Sequence, residues 1–186
     1  RNIAYSITNF TKDDDLNNSE NKEHEGIKKA GLWDDAVQAY LASVSYADAQ
    51  FGRLLEALEN SPYSDNTIIV LWSDHGWHLG EKEHWRKATL WEEVTRVPLI
   101  IYAPNKATNS RCAQPVSLID VYPTLIELCG LPQVEGLDGQ SLVPQLENPK
   151  TKRVVPAISS LTPNFHSVRD EQFRYISYGG GQEELY

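Results

Sequence analysis

Asp74 and His75, flanked by Ser73 and Gly76, are the residues whose types first suggest chemistry. A carboxylate is a hard oxygen donor suited to calcium or magnesium. An imidazole ligates through a neutral nitrogen or donates a hydrogen bond. Glycine at 76 permits a tight turn that keeps both side chains on one side. The same four residues also read as a plain turn capped by Asp74, with His75 a boundary histidine, and alone they do not choose. The loop that follows, Gly76-Trp-His-Leu-Gly80-Glu-Lys-Glu-His-Trp85-Arg-Lys87, carries two tryptophans, two histidines and three cations. That composition suits a cavity wall that binds an anion, with Lys87 as a point charge. A buried Asp74 without a partner is costly, so Lys87 or a metal ion is expected beside it. Trp77, His78 and His84 are candidates for substrate contact, and Trp77, Trp85 and Trp91 for stacking on a sugar ring, each against a packing role. His166 is a further candidate to approach the cleft. Arg96 is expected to pair with an acid near the sheet edge. Glu92 and Glu93 diverge on a helix and read as solvated surface, not as an acid–base dyad.

The elements that must hold these residues follow from periodicity. Residues 67–72, Thr-Ile-Ile-Val-Leu-Trp, form an unbroken apolar run that suits a central strand of a parallel sheet, buried on both faces. It stops at Ser73, so Asp74 and His75 project beyond the strand's carboxyl end, where open α/β sheets bind ligands. Residues 97–102 make a second such run, with Pro98 near its start. Residues 34–60 place Val37, Tyr40, Leu41, Val44, Ala47, Phe51, Leu54, Leu55 and Leu58 at three- and four-residue steps, a long amphipathic helix. Asp34 or Asp35 is expected to cap it, and Ser61-Pro62 to stop it. Residues 118–129 predict another helix, with Pro123 in its first turn and Gly130 closing it. Cys129, at that helix end, reads as a small core residue. Residues 12–26 are charged and poor in apolar groups, which predicts an exposed loop. Beyond Gly136, short pieces at 154–159, 167–169, 173–177 and 184–186 predict a small antiparallel appendage, with the chain stopping inside the last piece. The order helix, strand, strand, helix implies an α/β layered sheet. It gives a main region at 1–150 and the start of a small C-terminal subdomain at 151–186.

Composition narrows the partners. The net charge of −9 disfavours non-specific attraction to nucleic-acid phosphates, so no nucleic acid is expected. An anionic small substrate stays open, because a metal ion or a few placed cations reverse the sign locally. No apolar run approaches the ~18–20 residues of a membrane span. Cys112 and Cys129 have neither metal-site spacing nor the number for a disulfide framework. The chain opens on Arg1, contains no methionine and shows no secretory signal, so position 1 is not expected to be a translation start.

Read in order, the pieces resemble the sulfatase family, within the alkaline-phosphatase-like superfamily. They are Ala42-Ser-Val-Ser-Tyr-Ala-Asp-Ala-Gln50, Asp65-Asn-Thr-Ile-Ile-Val70, Ser73-Asp-His-Gly76, Leu79-Gly-Glu81, Trp85-Arg-Lys87 and Thr95-Arg-Val-Pro-Leu-Ile100. Asp120-Val-Tyr-Pro-Thr-Leu125, Leu137-Asp-Gly-Gln-Ser-Leu142, Ser167-Val-Arg169 and Glu184-Leu-Tyr186 continue the series. The resemblance is nearest to the iduronate-2-sulfatases and related bacterial enzymes. It implies the distal part of a mainly parallel sheet flanked by helices, and hydrolysis of a sulfate ester, on a small molecule or a glycan. It also implies that Asp74 and His75 hold a divalent cation, Ca2+ or Mg2+. The family's sulfate-contacting lysine, thirteen residues beyond the Asp, maps onto Lys87. A phosphodiesterase or phosphonate monoester hydrolase shares the Asp-His-Gly pattern, and a non-catalytic module could keep the fold.

The departures from the pattern are equally specific. The family's N-terminal Asp-Asp pair is missing, as is its Cys- or Ser-x-Pro-x-Arg motif, the source of the formylglycine nucleophile. Cys112 precedes Ala-Gln-Pro and Cys129 precedes Gly-Leu-Pro, so neither fits. The missing N-terminal part of the same protein is therefore an expected partner, and this chain alone is expected to be inactive. The resemblance suggests a periplasmic, secreted or lysosomal setting.

Overall fold

The computed structural model describes residues 13–104, 106 and 109–186. In chain order these form α1 (Asp13–Ala30), α2 (Trp33–Glu59), β1 (Ile69–Trp72), β2 (His78–Leu79), β3 (Trp85–Arg86) and α3 (Glu92–Thr95). Then come β4 (Leu99–Tyr102), α4 (Val121–Leu128), α5 (Val143–Glu147), β5 (Ala157–Thr162), β6 (Phe165–Arg169), β7 (Arg174–Ser177) and β8 (Glu183–Leu185). They divide into two compact units, Arg1–Pro62 with Trp77–Lys87, and Tyr63–Gly76 with Ala88–Tyr186.

In the first unit, the expected loop at 12–26 is instead the start of helix α1; Lys12 lies outside the described residues. Poverty in apolar residues argued against a buried helix, but it does not forbid a solvated one. Lys28 and Lys29 in the last turn suit the helix dipole, and Gly31 ends α1 at φ +68°. Helix α2 follows the expected stripe, with Val37, Tyr40, Phe51, Leu55 and Leu58 half-buried and Leu41, Val44 and Leu54 exposed. Asp34 and Asp35 do not cap it: the N-cap is Leu32, without a side-chain bond, and both acids lie in the first turn. The unit's packing centres on rings. Trp33 lies edge-on to His24 (5.3 Å) and to Trp85 (5.4 Å), and the Trp85 indole N–H donates to His24 Nδ1 at 3.3 Å.

In the second unit, β1 and β4 form where the two apolar runs were expected, but they pair antiparallel, from Ile69 opposite Tyr102 to Trp72 opposite Leu99. Every strand pair among the described residues is antiparallel. Apolar composition marks a strand without encoding its direction. A parallel return is usually made through a helical crossover, whereas the connection at 73–98 carries the β2–β3 pair and, as its α-helix, the four-residue α3. Nor is β1 buried on both faces, since Trp72 is exposed. Helix α4 ends as predicted: Gly130 at φ +62° and Leu131 donate back to Glu127 and Ile126, closing a Schellman motif. Cys129 is exposed beside it, not a core residue. The C-terminal strands form one antiparallel sheet in the order β5-β6-β7-β8. Arg174 and Ile176 lie on its buried face, while Phe173 and Tyr175 are exposed. The α/β class with a small antiparallel C-terminal sheet is thus observed.

Candidate functional site

The turn after β1 is closed by hydrogen bonds between its own side chains and main chain. The Ser73 hydroxyl donates to the His75 carbonyl at 2.7 Å, and the His75 amide donates to Asp74 Oδ1 at 3.0 Å. His75 Nδ1 lies 2.8 Å from the Gly76 carbonyl, which only accepts, so Nδ1 carries a proton. Nε2 is 3.7 Å from Asp74 Oδ2. The buried Asp74 expected from the sequence is not seen: its side chain is 72% exposed, against 29% for His75. A carboxylate in water carries no desolvation cost that demands a cation.

The turn is fixed from behind by α3. The Gly76 amide donates to the Val94 carbonyl at 2.7 Å, and the Ser73 amide to the Pro98 carbonyl at 3.4 Å. A Cβ on Gly76 would stand 1.9 Å from the Glu93 carbonyl oxygen, so glycine is required by this close approach. Helix α3 is tied in turn to the C-terminal sheet. The Arg174 guanidinium donates to Glu92 Oε2 from Nε and Nη2, and to the Leu90 carbonyl and Thr95 Oγ1 from Nη1. Glu92, its side chain 39% exposed, is therefore the ion-pair partner of a buried arginine and not a freely solvated acid. The Trp91 indole donates to the Tyr178 hydroxyl and to Glu184 Oε2, both at 3.0 Å, so Trp91 is anchored to the sheet through its polar edge. Burial, then the hydrogen bond to Glu184, pushes the Tyr178 hydroxyl pKa upward.

The residues expected to contact substrate lie in the first unit. Trp77 stacks on Tyr40 (6.4 Å, 23° between planes). His78 is fully buried, 3.7 Å from Glu81 Oε2 and ring to ring with His84 at 6.1 Å. His84 Nδ1 lies 2.9 Å from the Lys82 carbonyl. Lys87 is exposed. Trp85 is buried against Trp33, a packing role. Lys82, Glu83, Arg86 and Ala88 all take positive φ, so the backbone here is strained for L-residues. His166 binds Ser160 Oγ and the Pro163 carbonyl, closing the β5–β6 hairpin. Arg96 reaches Glu92 at 3.8 Å from an exposed position.

The structure thus brings Asp74 and His75 together in one unit and gathers Trp77, His78, His84 and Lys87 in the other. Sequence reasoning missed Arg174, and also Arg153, whose guanidinium lies 2.8 Å from the buried Asp120 carboxylate. A signal existed for Arg174: strand alternation puts it with Ile176 opposite Phe173 and Tyr175, an arginine on the apolar face.

Known proteins share this architecture. A family model described as Sulfatase matches residues 5–131, and one described as N-sulphoglucosamine sulphohydrolase, C-terminal, matches residues 80–184. A protein named Sulfatase from Formosa agariphila is 44% identical over 157 residues, 84% of this chain and 31% of that protein. Iduronate 2-sulfatase from Homo sapiens is 38% identical over 119 residues, 50% of this chain and 22% of that protein. A protein solved in complex with its substrate D-glucosamine-2-N,6-O-disulfate shares 31% identity at a TM-score of 0.64, covering 79% of this chain and 33% of that one. The phosphonate monoester hydrolase of Silicibacter pomeroyi shares 25% at 0.64, covering 75% and 32%. The fold is the alkaline-phosphatase-like one of these structures. The chain spans about a third or less of each of these proteins.

Proposed function

The chain belongs to the sulfatase family, and from that premise we propose that it is the C-terminal portion of an enzyme hydrolysing sulfate esters on a carbohydrate. The observation that carries the proposal is the Asp74–His75 pair. The His75 Nε2 nitrogen and an Asp74 carboxylate oxygen lie 3.7 Å apart beyond the end of β1, close enough for both to reach one cation. A nitrogen and a carboxylate oxygen suit a divalent cation. The fit is partial: among the described residues no group of three or more His, Cys, Asp or Glu is arranged to hold a metal ion. Asp74 and His75 are accordingly proposed as part of a ligand set completed by residues outside this chain.

A divalent cation bound there would neutralise the sulfate oxygens. The Gly76 carbonyl fixes the His75 tautomer, which keeps Nε2 as the donor nitrogen. Lys87 is proposed as the sulfate contact and stabiliser of developing charge on its spacing from Asp74, with Trp77, His78 and His84 as secondary candidates. Cys112 and Cys129, both exposed and outside any Cys-x-Pro-x-Arg context, do not fit a formylglycine precursor. The nucleophile is therefore assigned to the remainder of the protein, and the isolated chain is proposed to be inactive. A carbohydrate substrate is supported by the relative solved with a sulfated glucosamine. A periplasmic, secreted or lysosomal setting belongs to the same proposal. No helix among the described residues is long and apolar enough to cross a membrane.

The test is a paired assay of the longer protein on an aryl sulfate and an aryl phosphodiester, with its D74N and K87A variants alongside. Turnover of the sulfate ester, lowered about 10²–10³-fold by each substitution, is the expected result. Preference for the phosphodiester would favour the second reading, which the likeness to a phosphonate monoester hydrolase supports. No hydrolysis of either substrate would leave a non-catalytic module.

A further inference from the structure

We propose that Arg174 is a positioning residue for the Asp74–His75 turn, acting through Leu90–Thr95; this rests on reading that turn as a cation site. The residue is 6% exposed, on the sheet face it shares with fully buried Ile176. A guanidinium in that setting is costly unless its donors are met. Here all three nitrogens are met, and every acceptor belongs to one short segment. Nε and Nη2 reach Glu92 Oε2 at 3.0 and 2.5 Å, and Nη1 reaches the Leu90 carbonyl at 2.9 Å and Thr95 Oγ1 at 2.5 Å.

That segment has little order of its own. Its helix, α3, is four residues long, far below the length at which a helix is stable alone. Yet its backbone is what the turn rests on, through the Val94 carbonyl bonded to the Gly76 amide and the Glu93 carbonyl packed where a Cβ would go. The path therefore runs from the Arg174 fork to α3, to Gly76, and so to His75 and Asp74. A second tie, from the Trp91 indole to Glu184 and Tyr178, joins the same segment to the same sheet. Apolar packing would bury this sheet face equally well. What the planar, multiply bonded guanidinium adds is direction: it fixes where α3 stands. Ligands of a cation need that precision, of about 0.5 Å.

Amide hydrogen exchange read by NMR tests this on the longer protein in wild-type, R174M, R174K and E92Q forms. The expected result is exchange of the Gly76 amide at least about tenfold faster in R174M, with the amides of the β5–β6 ladder unchanged. R174K should behave like R174M, because an ammonium cannot make the fork. Unchanged Gly76 protection, or acceleration of the β5–β6 amides in step with it, would overturn the proposal. If R174M does not fold, E92Q decides by the same two criteria. Calcium titration of the same samples separates the two readings. Binding that D74N removes and R174M weakens about tenfold supports both. A wild-type longer protein that binds no calcium, or a D74N form of it that binds as wild type does, sinks the cation reading alone, because Gly76 exchange is read without metal.

Discussion

In the Ser73–Gly76 turn the fixing bonds run to main chain: Gly76 to Val94, Ser73 to Pro98, and the His75 ring to the Gly76 carbonyl. In the adjoining Trp77–Lys87 loop rings dominate: Trp77 on Tyr40, and Trp85 against Trp33 with its indole on His24. None of the turn's own residues takes a positive φ, whereas the loop holds four non-glycine residues at positive φ in or just beyond it. The lesson concerns where precision comes from. A turn bonded to a backbone inherits the rigidity of whatever holds that backbone, here a buried arginine far along the chain. A loop propped by rings can shift when a ring shifts.

The two glycines test this difference most directly. A Cβ at Gly76 meets the Glu93 carbonyl oxygen at 1.9 Å, and neither backbone can yield without breaking the Gly76–Val94 bond. G76A should cost about 3 kcal/mol in a denaturant melt, the upper end of an overpacking penalty. A Cβ at Gly80 meets the Trp33 ring at 2.3 Å, but that neighbour is a side chain. The remaining cost is the backbone, at φ +107°. G80A should therefore cost about 1–2 kcal/mol, with a change in tryptophan emission as Trp33 moves. A G80A penalty exceeding that of G76A would show the loop, not the turn, to be the more tightly held.

These contrasts were legible in the sequence to unequal degrees. Gly76 reads as the turn glycine, and α2, α4 and both apolar strands follow from the spacing of Val37 to Leu58, of Leu118 to Cys129, and of the runs ending at Trp72 and Tyr102. Periodicity is a local signal, so it survives without the fold. Strand direction is not local, and β1 and β4 pair antiparallel despite runs that look parallel-sheet-like. Helix α1 was missed because a solvated helix leaves no apolar stripe. The exposure of Asp74 depends on what surrounds the turn, which four residues do not specify. The Arg174–Glu92 pair spans 82 positions, and only the alternation in β7 hinted that Arg174 points inward.

A weaker effect is expected at the hairpin that carries Arg174. Asp170 Oδ1 accepts the amides of Phe173 at 2.6 Å and Gln172 at 2.7 Å, capping the turn between β6 and β7. These two bonds, with a smaller contribution from the Arg169 charge, hold the Asp170 carboxyl pKa below its ordinary value. A depressed carboxylate pKa stabilises the fold fully above the ordinary value of about 3.9, and the contribution is lost as pH falls through the lowered one. Because the carboxyl is solvent-exposed, the loss should be confined to the hairpin tip. The Phe173 amide shift, followed by NMR from neutral to acid pH, should titrate with a midpoint under the ordinary aspartate value, and D170N should abolish that step. If the hold on Asp74–Gly76 runs through Arg174 and not through the tip, the Gly76 amide shift stays flat across this step. The Trp77–Lys87 amides should stay equally flat. A Gly76 shift that follows Asp170 would instead make the hairpin tip part of the hold, and the turn would be less sharply distinguished from the loop than its backbone bonds imply.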